Sequence, residues 1–142
     1  GGTGIHAKQI AFPGGKAEIF DKDLLDTALR EAKEEVGIQA SGMNNLRALT
    51  PVYIPPSDFL VQPYMGLYHK MQDFVPQISE VHSLLEIPLS DIISDGNTTL
   101  SRLSTSYATD IEVPSFTFKN EIVWGATAMM LNEIKSLLKE VL

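Results

Sequence analysis

The chain contains no cysteine, which excludes disulfide frameworks, thiolate zinc sites, iron–sulfur clusters and a cysteine nucleophile. Basic residues are scarce. Eleven Lys and Arg stand against eighteen Asp and Glu, a net charge of −7, and such a surface offers little for repeated contacts with a nucleic-acid backbone. No apolar run approaches the roughly 18 residues of a membrane span, and no secretory signal is read at the start. The expected setting is the cytoplasm, with neither nucleic acid nor membrane as partner. The rest of the composition is that of an ordinary globular protein, 44% hydrophobic and 20% charged, unlike a disordered or collagen-like chain. At about 100–200 residues per domain, the length predicts a single domain with a core large enough to need no covalent staple. Gly1-Gly2-Thr3-Gly4 lacks an initiating Met and reads as a linker or loop.

Gln9 to Phe12 is a short apolar stretch stopped by Pro13-Gly14-Gly15, a turn signal. A helix is predicted from Leu24 to Val36, closed by Gly37 as a left-handed cap. Asp21 and Asp23 are both N-cap candidates, and Leu25, Leu29, Ala32 and Val36 form its apolar stripe. Strand-like runs follow at Leu46–Ile54, before the break Pro55-Pro56, at Phe59–Tyr68 and at Val81–Ile87. Pro88–Ile93 is a short helix candidate and Asp95-Gly96-Asn97 a turn. Thr98–Tyr107 and Ile111–Phe118 read as a hairpin, with a further strand at Glu121–Trp124 broken by Gly125. A last helix runs from Ala126 to Val141 with a stripe of Met130, Ile134, Leu137 or Leu138, and Val141. Several strands flanked by two good helices predict a mixed α/β layered domain.

The chemistry is concentrated on the first helix. At about 100° per residue, Glu31, Glu34 and Glu35 share an arc of ~100° beside the apolar stripe. Like charges so placed cost a few tenths of a kcal/mol per pair, a sign that a shared cation reverses. Oxygen-only donors suit Mg²⁺ or Mn²⁺ rather than zinc or copper. Arg30, one turn from both Asp26 and Glu34, is placed to bridge and orient acids. A plain solvated helix face is the competing reading, and an ordinary turn competes at Pro13-Gly14-Gly15. Two adjacent glycines nonetheless let backbone approach a ligand closely, and Lys16 adds a cation for a phosphate.

Taken together, Gly14-Gly15-Lys16-Ala17-Glu18-Ile19-Phe20-Asp21 and Thr27-Ala28-Leu29-Arg30-Glu31-Ala32-Lys33-Glu34-Glu35-Val36-Gly37-Ile38 resemble the Nudix box, G-x5-E-x7-R-E-U-x-E-E-x-G-U with U aliphatic. Gly15, Arg30, Glu31, Glu34, Glu35, Gly37 and Ile38 match, and Ala32 is a small version of the aliphatic position. Asp21 replaces the first Glu, and eight residues rather than seven separate it from Arg30. The coenzyme A pyrophosphatase branch is similar in both respects. It is also similar at the lead-in His6-Ala7-Lys8-Gln9-Ile10-Ala11-Phe12-Pro13-Gly14-Gly15, at Glu80-Val81, at Ile87-Pro88-Leu89 and at Ile122-Val123-Trp124-Gly125-Ala126-Thr127-Ala128. The branch's own coenzyme A signature is poorly kept. Its first half has no counterpart, Gly4 stands in place of an Arg and Lys8 in place of a Gly.

The resemblance implies a Nudix-type α/β/α sandwich with a mixed sheet, here lacking one or more strands ahead of the lead-in. It implies hydrolysis of a nucleoside diphosphate linked to another group, with coenzyme A or an acyl derivative leading. ADP-ribose, a nucleotide sugar, a dinucleoside polyphosphate or an oxidised nucleotide are the nearest rivals, and a non-catalytic ligand-sensing module is the alternative of another class. Glu31, Glu34 and Glu35 carry over as ligands of Mg²⁺ or Mn²⁺, with the Gly14 carbonyl beside them. Glu31 and Arg30 enter as catalytic-site residues, Arg30 as an orienter, and Glu80 is the downstream candidate for general base. Gly15, Lys16 and Phe74 are the substrate-binding candidates. Partners are confined to a small diphosphate substrate, with a homodimer left open. His6 and His82 receive no role, and His69 reads as filler. Trp124 and Tyr64 are assigned to the core, as are Met129 and Met130.

Overall fold

The computed structural model describes residues 10–55, 57–70, 72–81, 83–104 and 109–142, together with the backbone of residues 5–6. Expectations placed on residues 1–4, Lys8, Pro56, His82 and Tyr107 lie outside the described residues. The chain forms two compact units, one made of Gly1–Ala11, Val52–Val61 and Ile87–Leu142, the other of Phe12–Pro51 and Gln62–Glu86. The mixed α/β class expected from the sequence is what the chain adopts. No helix among the described residues is long and apolar enough to cross a membrane.

The first unit is organised by a four-stranded sheet of β1 (Ile5–His6), β6 (Thr98–Ser104), β7 (Ile111–Phe118) and β8 (Glu121–Trp124), in that order. β1 runs parallel to β6 and the other pairs are antiparallel, so the sheet is mixed. The expected hairpin is β6–β7, with Thr98 opposite Phe116 and Leu103 opposite Ile111. The turn into β8 is Lys119-Asn120, both at positive φ (47° and 68°), the left-handed pair that matches the twist of two-residue hairpins. Pro114 sits just outside the β8 pairing, which begins at Ser115, so its missing N–H interrupts no two-sided ladder. Helix α3 (Gly125–Val141) packs on this sheet. Its buried face is Ala128, Leu131 and Lys135 with Ile134 and Leu138 alongside, and these join Ile92, Phe116, Phe118 and Val123 in one core. The predicted stripe is therefore corrected: Val141 is exposed, as is Met129, because Ala128 and Leu131 take the inward positions. A short helix α2 (Leu89–Ile93) supplies Ile92, and β3 (Val52–Ile54) pairs with β4 (Phe59–Val61) as a separate ribbon. The run Val81–Ile87 forms no strand among its described residues; Ile87 instead packs against the core.

The second unit holds helix α1 (Leu24–Val36), with the boundaries its sequence predicts. Of the two N-cap candidates, Asp23 does the capping, its carboxylate accepting the Asp26 N–H at 2.8 Å. Gly37, at φ 79°, closes the helix, with its N–H on Lys33 O (3.0 Å) and the Ile38 N–H on Ala32 O (3.3 Å), a paired bond pattern that satisfies the last carbonyls. Val36 and Thr27 are buried. β2 (Met43–Ala48) pairs antiparallel with β5 (Tyr64–Tyr68). The two long strand predictions are thus each split in two, at Leu49–Pro51 and at Gln62–Pro63.

Candidate active site

The second unit gathers nearly every residue singled out for chemistry. α1 is the platform, and a loop is sewn to its C-terminal turn. The Val75 N–H donates to Val36 O at 2.9 Å and the Gln77 N–H to Glu35 O at 2.8 Å, so two otherwise unpaired helix carbonyls anchor that loop. A turn follows, with the Glu80 N–H on Gln77 O at 3.0 Å. On the other side the glycine bend reaches the same helix. The Gly14 N–H donates to Glu35 Oε2 at 3.1 Å. Gly15 lies so close to Glu31 that a Cβ on it would stand 2.6 Å from the Glu31 Cδ and Oε1.

Electrostatics mark Glu35 as the centre of the acids. Partial burial pushes its carboxyl up, the Gly14 N–H pulls the other way, and the charges of Glu31, Glu80 and Glu34 push it up further. Glu80, distant in sequence, is therefore within electrostatic reach of Glu35.

Arg30 is held by a network of its own. Its Nε and Nη2 grip Asp21 at 3.0 and 3.1 Å, its Nη2 also donates to Lys16 O at 3.1 Å, and its Nη1 reaches Glu31 at 3.0 Å and Glu34 at 3.3 Å. The Asp21 carboxylate is only 2% exposed and also accepts from Thr27 Oγ1 (2.9 Å) and the Glu18 N–H (2.8 Å). The Arg30 hydrogen bond, first among these, holds the Asp21 carboxyl well below the usual carboxylate range, and Asp21 in turn raises the guanidinium. The expected Arg30–Asp26 bridge is replaced by this fork, because Asp26 spends its carboxylate on the Lys22 N–H. From sequence, Asp21 is only a cap candidate and a departure from the box. The signal was its fixed offset from Arg30.

A family description, NUDIX domain, matches residues 3–90. The chain belongs to the Nudix family. It is 38% identical to the uncharacterized Nudix hydrolase NudL of Yersinia enterocolitica, over 91% of this chain and 65% of that protein. NudL proteins of Yersinia pestis and Yersinia pseudotuberculosis are 37% identical, over 91% of this chain and 64% of theirs. The chain spans a little under two thirds of the length of these relatives.

Within this Nudix box the donor chemistry suits a hard divalent cation. All the candidate side chains offer oxygen, the mutual repulsion at Glu35 is of the kind a cation relieves, and the bare backbone of Gly15 makes room for the Glu31 carboxylate. As placed, Glu31 and Glu34 lean on Arg30, and no three Asp, Glu or His side chains among the described residues converge on one point. Glu31 is 17% exposed and Glu34 53%.

The remaining candidates fall as follows. Lys16 is exposed, and its carbonyl serves Arg30. Phe74 stacks on Tyr68, ring centroids 6.1 Å apart, with Lys70 Nζ 4.5 Å from its own centroid. Tyr64 is half-buried, and His69 is exposed at the end of β5. Trp124, in the other unit, is half-buried and faces a cavity together with Met129, so neither is plain core filling.

Proposed function

We propose that the protein is a metal-dependent pyrophosphohydrolase that cleaves a nucleoside diphosphate linked to another group, with coenzyme A or an acyl derivative as leading substrate. The family model draws on both compact units, which supports reading the chain as one Nudix domain. The observation that carries the catalytic reading is the Gly14 N–H on the Glu35 carboxylate, together with the partial burial and the charges of Glu31, Glu80 and Glu34 that raise that carboxyl. A fully solvated, isolated surface acid would not have the raised carboxyl.

Mg²⁺ or Mn²⁺ would be held by Glu31, Glu34, Glu35 and the Gly14 carbonyl. Bound there, such an ion supplies charge neutralisation for the diphosphate and acidifies water for in-line attack. The chain's own residues do the rest. Asp21 fixes the Arg30 guanidinium, and Arg30 fixes Glu31 and Glu34, so the acids are oriented before substrate arrives. Glu80 takes the proton of the attacking water. Gly15 and Lys16 meet phosphate oxygens, and Phe74, stiffened by Tyr68 and Lys70, packs against the organic part of the substrate. A cytoplasmic setting and a small diphosphate as sole required partner complete the reading.

The test is a panel of diphosphates at fixed Mg²⁺ with the full-length protein: coenzyme A, an acyl derivative, ADP-ribose, a nucleotide sugar and a dinucleoside polyphosphate. Coenzyme A or its acyl form is expected to be cleaved fastest. Cleavage of coenzyme A no faster than ADP-ribose removes the branch assignment. Unchanged turnover in Glu34→Gln and Glu35→Gln removes the metal role.

A further inference from the structure

The segment that leads into α1 closes on itself in a tight turn. The Asp21 N–H donates to Glu18 O at 3.0 Å, and the Glu18 N–H returns to Asp21 Oδ2 at 2.8 Å. Ile19 and Phe20 therefore occupy the two central positions of a four-residue turn. Such positions favour small polar residues and glycine, and neither side chain enters the core: Ile19 is fully exposed and Phe20 is 68% exposed. Phe20 nonetheless has a partner. The Arg30 Cζ lies over its ring, 5.4 Å from the centroid.

That contact falls on the one part of the cation the hydrogen bonds leave open. A guanidinium carries five N–H donors around its edge and none on its faces. In Arg30 all five are committed: Nε and one Nη2 N–H to Asp21, the other Nη2 N–H to Lys16 O, and the two Nη1 N–H groups to Glu31 and Glu34. The side chain keeps 18% exposure, and water reaching an open face would compete for those same N–H groups. An aromatic ring draws a cation onto its face through its quadrupole, and a saturated side chain of similar bulk does not. Two consecutive residues thus hold one guanidinium, Asp21 by its edge and Phe20 by a face. Ile19, beside them in the same turn, supplies a comparison with equal exposure to substitution and no such contact.

We propose that Phe20 is a positioning residue: its ring covers one face of the Arg30 guanidinium and keeps the Nη1 edge on Glu31 and Glu34. The bearing of this contact on turnover rests on the pyrophosphohydrolase reading, whereas the contact itself does not.

Arg30 is one of three arginines in the chain, so Arg30→Lys identifies its Nε–H signal in the nuclear magnetic resonance spectrum of the ¹⁵N-labelled full-length protein. Exchange of that proton with water, measured without metal, reports how often the clamp opens. Phe20→Leu keeps an apolar side chain and removes the π face. Exchange should quicken about two- to fivefold, the worth of an exposed cation–π contact. Phe20→Tyr should hold the wild-type rate, and Ile19→Ala should leave it unaltered. Mg²⁺-dependent kcat on the best diphosphate of the panel should follow the same order, falling about two- to fivefold in Phe20→Leu and in neither of the others. Both positions are exposed, so all three variants should fold, which thermal melts check. An unchanged Arg30 exchange rate in folded Phe20→Leu overturns the proposal. So does equal quickening in Phe20→Tyr, which would make the effect one of shape, or in Ile19→Ala. Quickened exchange with wild-type kcat removes the positioning role. A wild-type protein that cleaves nothing in the panel removes the function proposed above, and the exchange comparison still decides whether the ring holds Arg30.

Discussion

Replacing Gly15 by Ala is the sharpest probe of the acid cluster, because its neighbour Gly14 provides an internal control. Neither glycine has positive φ, so alanine strains neither backbone. A methyl at Gly14 would meet nothing within 4 Å, whereas one at Gly15 would stand 2.6 Å from Glu31 Cδ and Oε1. Carbon atoms in contact rest at about 3.5–4.0 Å, so the Glu31 carboxylate must retreat by about 1 Å. A displacement of that size at a reacting constellation costs about 100-fold in rate. The carboxylate is the free end of a flexible side chain, so the fold has little to lose. The smaller unfolded-state entropy of alanine even favours folding by about 0.4–1 kcal/mol. We expect Gly15→Ala to lose about 100-fold in Mg²⁺-dependent kcat, with melting temperature within about 3 °C of wild type, and Gly14→Ala to keep both. In a Glu31→Gln background the Gly15 substitution should add little, since the two act through one carboxylate. Release of nucleoside monophosphate from the best diphosphate of the panel, beside thermal melts, reads wild type and the four variants. Equal effects at the two glycines, or full activity in a folded Gly15→Ala, would refute the placement of Glu31 against the bend.

Glu35 has a raised folded pKa, so the native state holds its proton where the unfolded chain has lost it, and metal-free stability falls as pH climbs above the ordinary value of 4.5. Metal-free Glu35→Gln should therefore melt higher than wild type at pH 7, with no advantage below about pH 4, and Mg²⁺ should stabilise wild type more than the variant. Asp95 behaves with the opposite sign. The hydrogen bonds from Lys139 and Lys135 lower its pKa from 3.8 to about 2, so its contribution is complete above 3.8 and fades as pH falls through about 2. Asp95→Asn should lower the melting temperature at pH 7, and by progressively less as pH falls from 3.8 to about 2, as circular-dichroism melts across that range would show. Leu103 is 1% exposed on the central strand β6, so Leu103→Ala should cost about 2–5 kcal/mol in denaturant unfolding.

How legible each part was follows from how local its causes are. α1 was readable to the residue because Asp23, the apolar stripe and Gly37 all act within one turn of what they control. The β6–β7 hairpin was nearly as clear. Val81–Ile87 failed because alternation states only that a segment could pair, and a strand needs a partner that sequence does not name. The α3 stripe slipped for a related reason. Its core face was set by small Ala128 and by Lys135, a lysine that no hydrophobic pattern predicts but that Asp95 and Thr98 make affordable. The cavity beside Trp124 was not legible at all, since it depends on where three separate segments leave space.

The Asp21–Arg30 pair bears on why the acids can be built so densely. Three glutamates on one arc repel, and that repulsion adds to the partial burial that raises the Glu35 carboxyl. A single guanidinium one residue ahead of Glu31 reaches two of the three, but on a free side chain it would as readily swing into solvent. Asp21 removes that freedom with a two-point grip, and Thr27 and the Glu18 N–H fix Asp21 in its turn. The result is a fork in which Arg30 Nε and Nη2 hold the Asp21 carboxylate at 3.0 and 3.1 Å. Glu31 and Glu34 are thereby held in place at the moderate cost of one buried pair, and the Glu35 carboxylate takes the Gly14 N–H instead of the guanidinium.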